Sequence, residues 1–235
     1  MEKVEIKMTK NKAGAIVCLL KYVKNKPKYI SDFKKGNLYF TKLQYFIDLE
    51  NVENNNKTGD KNESKFHREI NNLKSLIIAG HKLNPEDITK ISLDLEMSSI
   101  DKDNCGICSF FAVYFRDLEK DKDIENTYRI KPEVIEDLQK LKDGDRRLFV
   151  AKNVKGLIRE SNEYQLEHGS VIYYDPSKYE INKVSMNHLM FYKTNKYKYQ
   201  HEYRFVKNDI GKSNLVHFNS LEKDIFEIKF LKKDN

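Results

Sequence analysis

The chain has 235 residues, 39% apolar and 34% charged, and its 43 Lys and Arg against 36 Asp and Glu leave a formal net charge of +7. That length predicts a single domain over residues 1–235 with its own core, and a count of only three cysteines excludes a disulfide framework and points to a reducing, cytoplasmic setting. The longest apolar runs, at 13–20 and 108–115, are too short to span a bilayer, and residues 1–12 lack the apolar stretch of a signal peptide, so no membrane association is expected.

Residues 13–20 read as a buried strand or short buried helix. Pro27 and Ser31-Asp32 mark a turn and a helix start, and Gly36-Asn37 a second turn. Residues 38–41, Leu-Tyr-Phe-Thr, read as a strand. The segment at about 51–64 is dense in Asn, Lys, Asp and Glu and reads as a polar loop, mobile or facing a ligand. Between about 65 and 100 the reading is a helical insertion. Ile70, Leu73, Leu76 and Ile77 give one helix over 67–81, and Asn84-Pro85 starts another that carries Ile88, Ile91, Leu93 and Leu95.

Residues 107–115 form a continuous apolar run of β-formers and read as a central strand. Lys131-Pro132 opens a helix with Val134, Ile135 and Leu138 inward. Residues 147–151 and 170–174 read as strands, 185–192 as a short helix or turn, and 197–206 and 224–231 as strands by alternation. Helices ahead of strands, without βαβ alternation, predict an α+β domain with a mixed or antiparallel sheet.

The chemistry-bearing motifs are sparse. Cys105-Gly-Ile-Cys108 has no second ligand pair for a metal, and the histidines at 67, 81, 168, 188, 201 and 217 are scattered, so no metal site is expected. Nucleophile-elbow, Walker and Rossmann patterns are absent. The segment singled out is 198–205. In a strand, Gln200, Glu202 and Arg204 share one face, and the Arg can hold the Glu ionised. An ordinary ion pair on a solvent-facing edge strand fits the same spacing. Tyr39 and Thr41 likewise share a face that could hold a planar ring, or simply serve as core. The surplus positive charge suits a polyanion such as nucleic acid or a dinucleotide, although lysine-rich composition also drifts without function.

Taken in order, these segments resemble a bacterial family of functionally unassigned domains, some encoded near abortive-infection and toxin–antitoxin loci. The resemblance is carried by Leu20-Lys21-Tyr22, by Gly36-Asn-Leu-Tyr-Phe-Thr41 with Phe46, by Gly59-Asp60 with Glu63, by Cys108-Ser-Phe110 and by Gln200-His-Glu-Tyr-Arg204. That family is similar in turn to the ADP-ribosyltransferase fold. The resemblance implies NAD as substrate. It makes Glu202 the catalytic carboxylate, with Gln200 and Arg204 beside it. Lys21, Tyr22, Tyr39, Phe40 and Thr41 would hold the dinucleotide, and Asp60 and Glu63 would face the acceptor. The implied activity is a toxin or phage-defence effector that moves ADP-ribose from NAD to a nucleic-acid or protein acceptor. The alternative is a catalytically inactive binding module on the same fold, antitoxin-like or nucleic-acid-binding, with a cognate protein or nucleic acid as partner. Convergence of Glu202, Tyr39 and Lys21 in one cleft is what a transferase requires; separate surfaces favour the binding module.

Overall fold

The computed structural model describes residues 14–53, 60, 62–70, 76–78, 81–83, 91–121, 124–125, 127–211 and 213–228. Seven strands make the main sheet: β1 (Ile16–Lys24), β2 (Thr41–Lys42), β3 (Gly106–Tyr114), β4 (Arg146–Ala151), β5 (Glu167–Ser170), β6 (Glu202–Lys207) and β7 (Ile225–Ile228). Their order is β5-β6-β3-β1-β4-β7, with β2 on the end of β3, and every pairing is antiparallel. Among the described residues the α-helices are α1 (Pro27–Lys34), α2 (Leu43–Glu53), α3 (Ser99–Asn104), α4 (Pro132–Lys140), α5 (Val154–Glu163) and α6 (Asn219–Lys223). The protein is therefore α+β, with a largely antiparallel sheet that does not close. Among the described residues no helix is long and apolar enough to cross a membrane.

Alternation along the strands gives the sheet two different faces. On one, Leu19, Val23, Phe110, Ala112, Phe149 and Phe205 form the main core beneath α1, α5 and α6, which contribute Ile30, Phe33, Val154, Leu157 and Leu221. The opposite face is divided. At one end Leu20, Phe111, Val113, Leu148 and Val150 pack under Val134 and Leu138 of α4. At the other end Ile107 and Val206 pack against Leu43 of α2 and against Met190 and Phe191. Ser109, Glu202 and Arg204 come from the strands between these two apolar patches, so this stretch of the face is polar.

Local chemistry explains several boundaries. Pro27 and Pro132 each sit in the first helical turn, where the missing N–H costs nothing. Gly36 follows the end of α1 with φ +77°, and a Cβ there would lie 2.3 Å from the Phe218 carbonyl oxygen, so only glycine fits.

Three expectations are corrected. In the expected helical insertion at about 65–100, the described residues ahead of the short α3 form β-ribbons. Lys65–Ile70 pairs with Ile91–Glu96, and Leu76–Ile78 with His81–Leu83. Phe66 decides the matter: it is fully buried, stacked on Tyr174 at 4.5 Å, and edge-on to Tyr179 and Tyr192. The expected helix start at Asn84-Pro85 and the end of the last strand beyond Ile228 lie outside the described residues. The strand expected over 197–206 begins only at Glu202. Asn195–Gln200 is a 3₁₀ turn that buries Tyr197 and Gln200, three residues apart, and His201 leaves it with φ +44°. That strand pairs with β3 and β5. The stretch 38–41 is broken as well. Asn37–Tyr39 forms a small ribbon with Leu215–His217, whereas Thr41 pairs with Ile107 in the main sheet.

Candidate functional site

The polar stretch of the sheet holds a buried ion cluster. In register, Glu202 lies opposite Phe111, and Arg204 opposite Ser109. Arg204 is buried, and all five of its N–H groups are engaged. Nε bonds Glu202 Oε1 at 2.7 Å and Nη2 bonds Glu202 Oε2 at 3.0 Å. Nη1 and Nη2 reach Glu63 Oε1 at 2.5 Å and Oε2 at 3.1 Å, and Nη1 also donates to the Met190 carbonyl oxygen. The second cation is Lys193, also buried. Its Nζ donates to Gln200 Oε1 at 2.9 Å and stands 3.1 Å from Glu202, 3.3 Å from Glu63 and 3.9 Å from Asp60. The Ser109 hydroxyl donates to Glu202, and the Glu202 N–H donates to the Tyr173 hydroxyl at 2.9 Å. Two cations thus face three carboxylates, drawn from the segment at 60–64, from the 193–200 region and from the sheet.

The charge states follow from this geometry. Burial pushes the Glu202 carboxyl up, but the charges of Arg204 and Lys193, with hydrogen bonds from Arg204 and Ser109, more than reverse it and hold the group well below the usual carboxylate range. Asp60 goes the other way. Burial first, and then the neighbouring Glu63 charge, raise it to about 6, against the pull of Lys193, the Asn62 amide and Arg204. Asp60 is the carboxylate left in excess. Its folded-state value lies above its ordinary one, so the proton it holds stabilises the native state. That contribution is present below about pH 4 and is lost as pH rises through about 6. Asp60→Asn keeps an oxygen for the Asn62 N–H, which lies 2.9 Å away. The substitution is expected to raise stability at pH 8 by up to about 3 kcal/mol and to leave it unchanged near pH 4. Urea unfolding at the two pH values checks this, and equal midpoints for the two proteins at pH 8 would show that Asp60 carries no such strain.

The structure gathers some of the expected site residues and separates others. Gln200, Glu202, Arg204, Asp60 and Glu63 meet around Lys193. Asp60 and Glu63 are buried, so the acceptor-facing polar loop is corrected at its C-terminal end to a buried latch; Gly59 lies outside the described residues. Lys21 lies on the opposite face of the sheet, in the row of Leu19 and Val23. Its Nζ bonds the Ser109 carbonyl oxygen at 2.6 Å and lies 5.0 Å from the Phe110 ring centre. Tyr39 is 56% exposed on the separate ribbon, and Phe40 is fully buried in the main core. Thr41 pairs with Ile107, four residues along β3 from the partner of Glu202, or about 13 Å at the usual strand rise. Tyr22 lines a different cavity, of about 500 Å³, with Lys142, Arg146 and Arg147. Glu202, Tyr39 and Lys21 therefore do not share a cleft.

Comparison of the chain with family models, with curated proteins and with solved structures finds no match in any of the three. The site is thus read from its own geometry. Sequence reasoning missed Lys193 and Ser109. The trace that could have exposed Lys193 is its place directly after Leu189-Met-Phe-Tyr192, four buried apolar residues in a row. A lysine ending such a run is carried inward and must find carboxylates. Cys105 and Cys108 are buried free thiols. Burial pushes Cys105 up to about 12 and raises Cys108 as well, so neither is an activated thiolate nucleophile near neutral pH.

Proposed function

We propose that this chain is a binding module: a scaffold that presents its surface to a macromolecular partner, with the Glu202 constellation acting as an internal latch. One observation carries the reading. Both Glu202 oxygens are occupied, Oε1 by Ser109 and the Arg204 Nε, Oε2 by the Arg204 Nη2 and Lys193, and the side chain is 9% exposed. A transferase carboxylate must reach a ribose hydroxyl and offer unspent negative charge to a developing oxocarbenium ion. A carboxylate already facing two cations has little to offer, and the residues that would hold nicotinamide lie elsewhere. The latch has a plain structural use, since it ties the segment at 60–64 and the 3₁₀ turn to the sheet.

The ADP-ribosyltransferase reading, with a toxin or phage-defence role, keeps one observation in its favour: Glu202 is ionised and clamped by Arg204, as the spacing of the two residues suggests. Incubation with labelled NAD and total cell RNA, DNA and lysate separates the two readings. No label transfer is expected. Transfer by the wild-type chain that disappears in Glu202→Gln would overturn the binding-module reading.

A further inference from the structure

Among the described residues the main sheet ends at β5, which pairs there with β6 on one side only. Glu167, His168, Gly169 and Ser170 all line one cavity of about 410 Å³. Successive side chains of a strand point to opposite faces. A cavity touched by four in a row therefore runs along the strand edge, where the outward N–H and C=O groups lie ready to pair. Phe191 and the exposed Ile172 give the groove an apolar wall.

The charge of this groove departs from that of the chain. None of its lining residues is Lys or Arg, although 43 of the 235 residues are. Its anion is Glu167. Glu167 Oε1 accepts from Asn208 at 2.6 Å, but Oε2 is shut off from solvent and has no hydrogen-bond partner among the described residues. The His188 ring lies close by, but its Nε2 is 3.7 Å away, beyond hydrogen-bond distance. His168 cannot serve, because its nitrogens face the Tyr203 hydroxyl at 2.8 Å and Asn162 Oδ1 at 3.1 Å. A buried acceptor without a donor is costly, and here it lies beside an open strand edge about 13 Å long. A polyanion would meet a carboxylate with no lysine or arginine among the residues that line the groove.

We infer that the edge of β5 is a docking groove for an extended segment of a partner protein, which adds a strand to the sheet and sets a Lys or Arg against Glu167. Main-chain pairing supplies affinity in this mode, and the side-chain pockets supply specificity. The inference rests on the binding-module reading and names the partner's chemistry.

The test uses the full chain and blocked eight-residue peptides of alternating Thr and Val, with a central Lys, Gln or Glu. Binding is read by fluorescence anisotropy, and the site by amide hydrogen exchange. The Lys peptide is expected to bind at least tenfold more tightly than the Glu peptide and to slow exchange at residues 167–170. Glu167→Gln, which keeps the shape and an oxygen for Asn208, should melt like the wild type and abolish the preference for the Lys peptide. Equal binding of the Lys and Glu peptides, no binding at millimolar concentration, or protection at other strands would overturn the proposal. So would a 20-nucleotide single strand that protects the same amides. The NAD experiment is independent of this one. Peptide failure without label transfer removes the groove alone, whereas Glu202-dependent transfer removes the binding-module reading whatever the peptides do.

Discussion

Arg204→Met is expected to lower the melting temperature by roughly 10 °C or more at pH 7.5. The guanidinium is buried, and its five N–H groups meet Glu202, Glu63 and the Met190 carbonyl oxygen. Its removal leaves Glu63, Glu202 and Asp60 around Lys193 alone. Breaking a buried ion pair from one side costs about 3–5 kcal/mol, because the partner charge stays buried without compensation. In a chain of this size each kcal/mol moves the midpoint by about 2–4 °C. Arg204→Lys should recover only part of the loss, since an ammonium has three donors and no planar fork to serve two carboxylates at once. Thermal unfolding followed by circular dichroism decides it. A midpoint within about 2 °C of wild type for Arg204→Met would mean that the guanidinium does not hold this cluster.

Much of the sheet was legible because buried strands write their own signature. The apolar run at 107–115 became β3, and the Arg147–Ala151 pattern became β4, nearly residue for residue. Pro132 with Val134 and Leu138 gave α4, since an apolar pair four apart on a proline-led segment has one good solution. The insertion was misread because two periods coexist in it. Ile91, Leu93 and Leu95 alternate strictly, which is the strand period, and they pair with Ile70, Arg68 and Phe66. Counting Ile88 with them made the series look helical. Phe66, the residue that anchors the ribbon, has no apolar neighbours in sequence, because its partners Tyr174, Tyr179 and Tyr192 lie more than a hundred residues away.

The site was half legible for a related reason. The spacing of Gln200, Glu202 and Arg204 does assemble a polar group, and the Arg does depress the Glu, but the strand logic that suggested it holds only from Glu202 onward. Gln200 joins from a 3₁₀ turn through Lys193. A sequence shows which charges exist and not which side of a sheet they meet on. Lys21 and Tyr22 are adjacent and therefore point to opposite faces, so they could not both serve a site at Glu202. Asp60 and Glu63, in a segment rich in Asn and Lys, looked solvated because their compensating cations are 130 residues or more further along.

Glu202→Gln separates a latch from a surface ion pair by its pH dependence. A solvent-facing pair would contribute about 1 kcal/mol or less. Here the carboxylate is buried between Arg204 and Lys193, and the loss expected at pH 7.5 is about 3 kcal/mol or more. The sign on the acid side is fixed. The folded-state value of Glu202 lies below its ordinary 4.5, so its contribution is fully present above that pH and is lost as pH falls further below it. The variant lacks this group, so the gap between the two stability curves should narrow steadily below about pH 4.5. Asp60 adds a second, opposite feature. In the wild type its proton uptake stabilises the fold as pH falls from about 6 towards 4. With Glu202 neutral, Lys193 and Arg204 are left to face Asp60 and Glu63, two cations against two carboxylates. Asp60 should then titrate lower, and the rise in stability between pH 6 and 4 should flatten in the variant. Urea midpoints measured from pH 8 to pH 3 test both features together. Parallel curves for wild type and Glu202→Gln across that range would mean that the Glu202 carboxyl titrates as it does in the unfolded chain, and the latch would have to be abandoned.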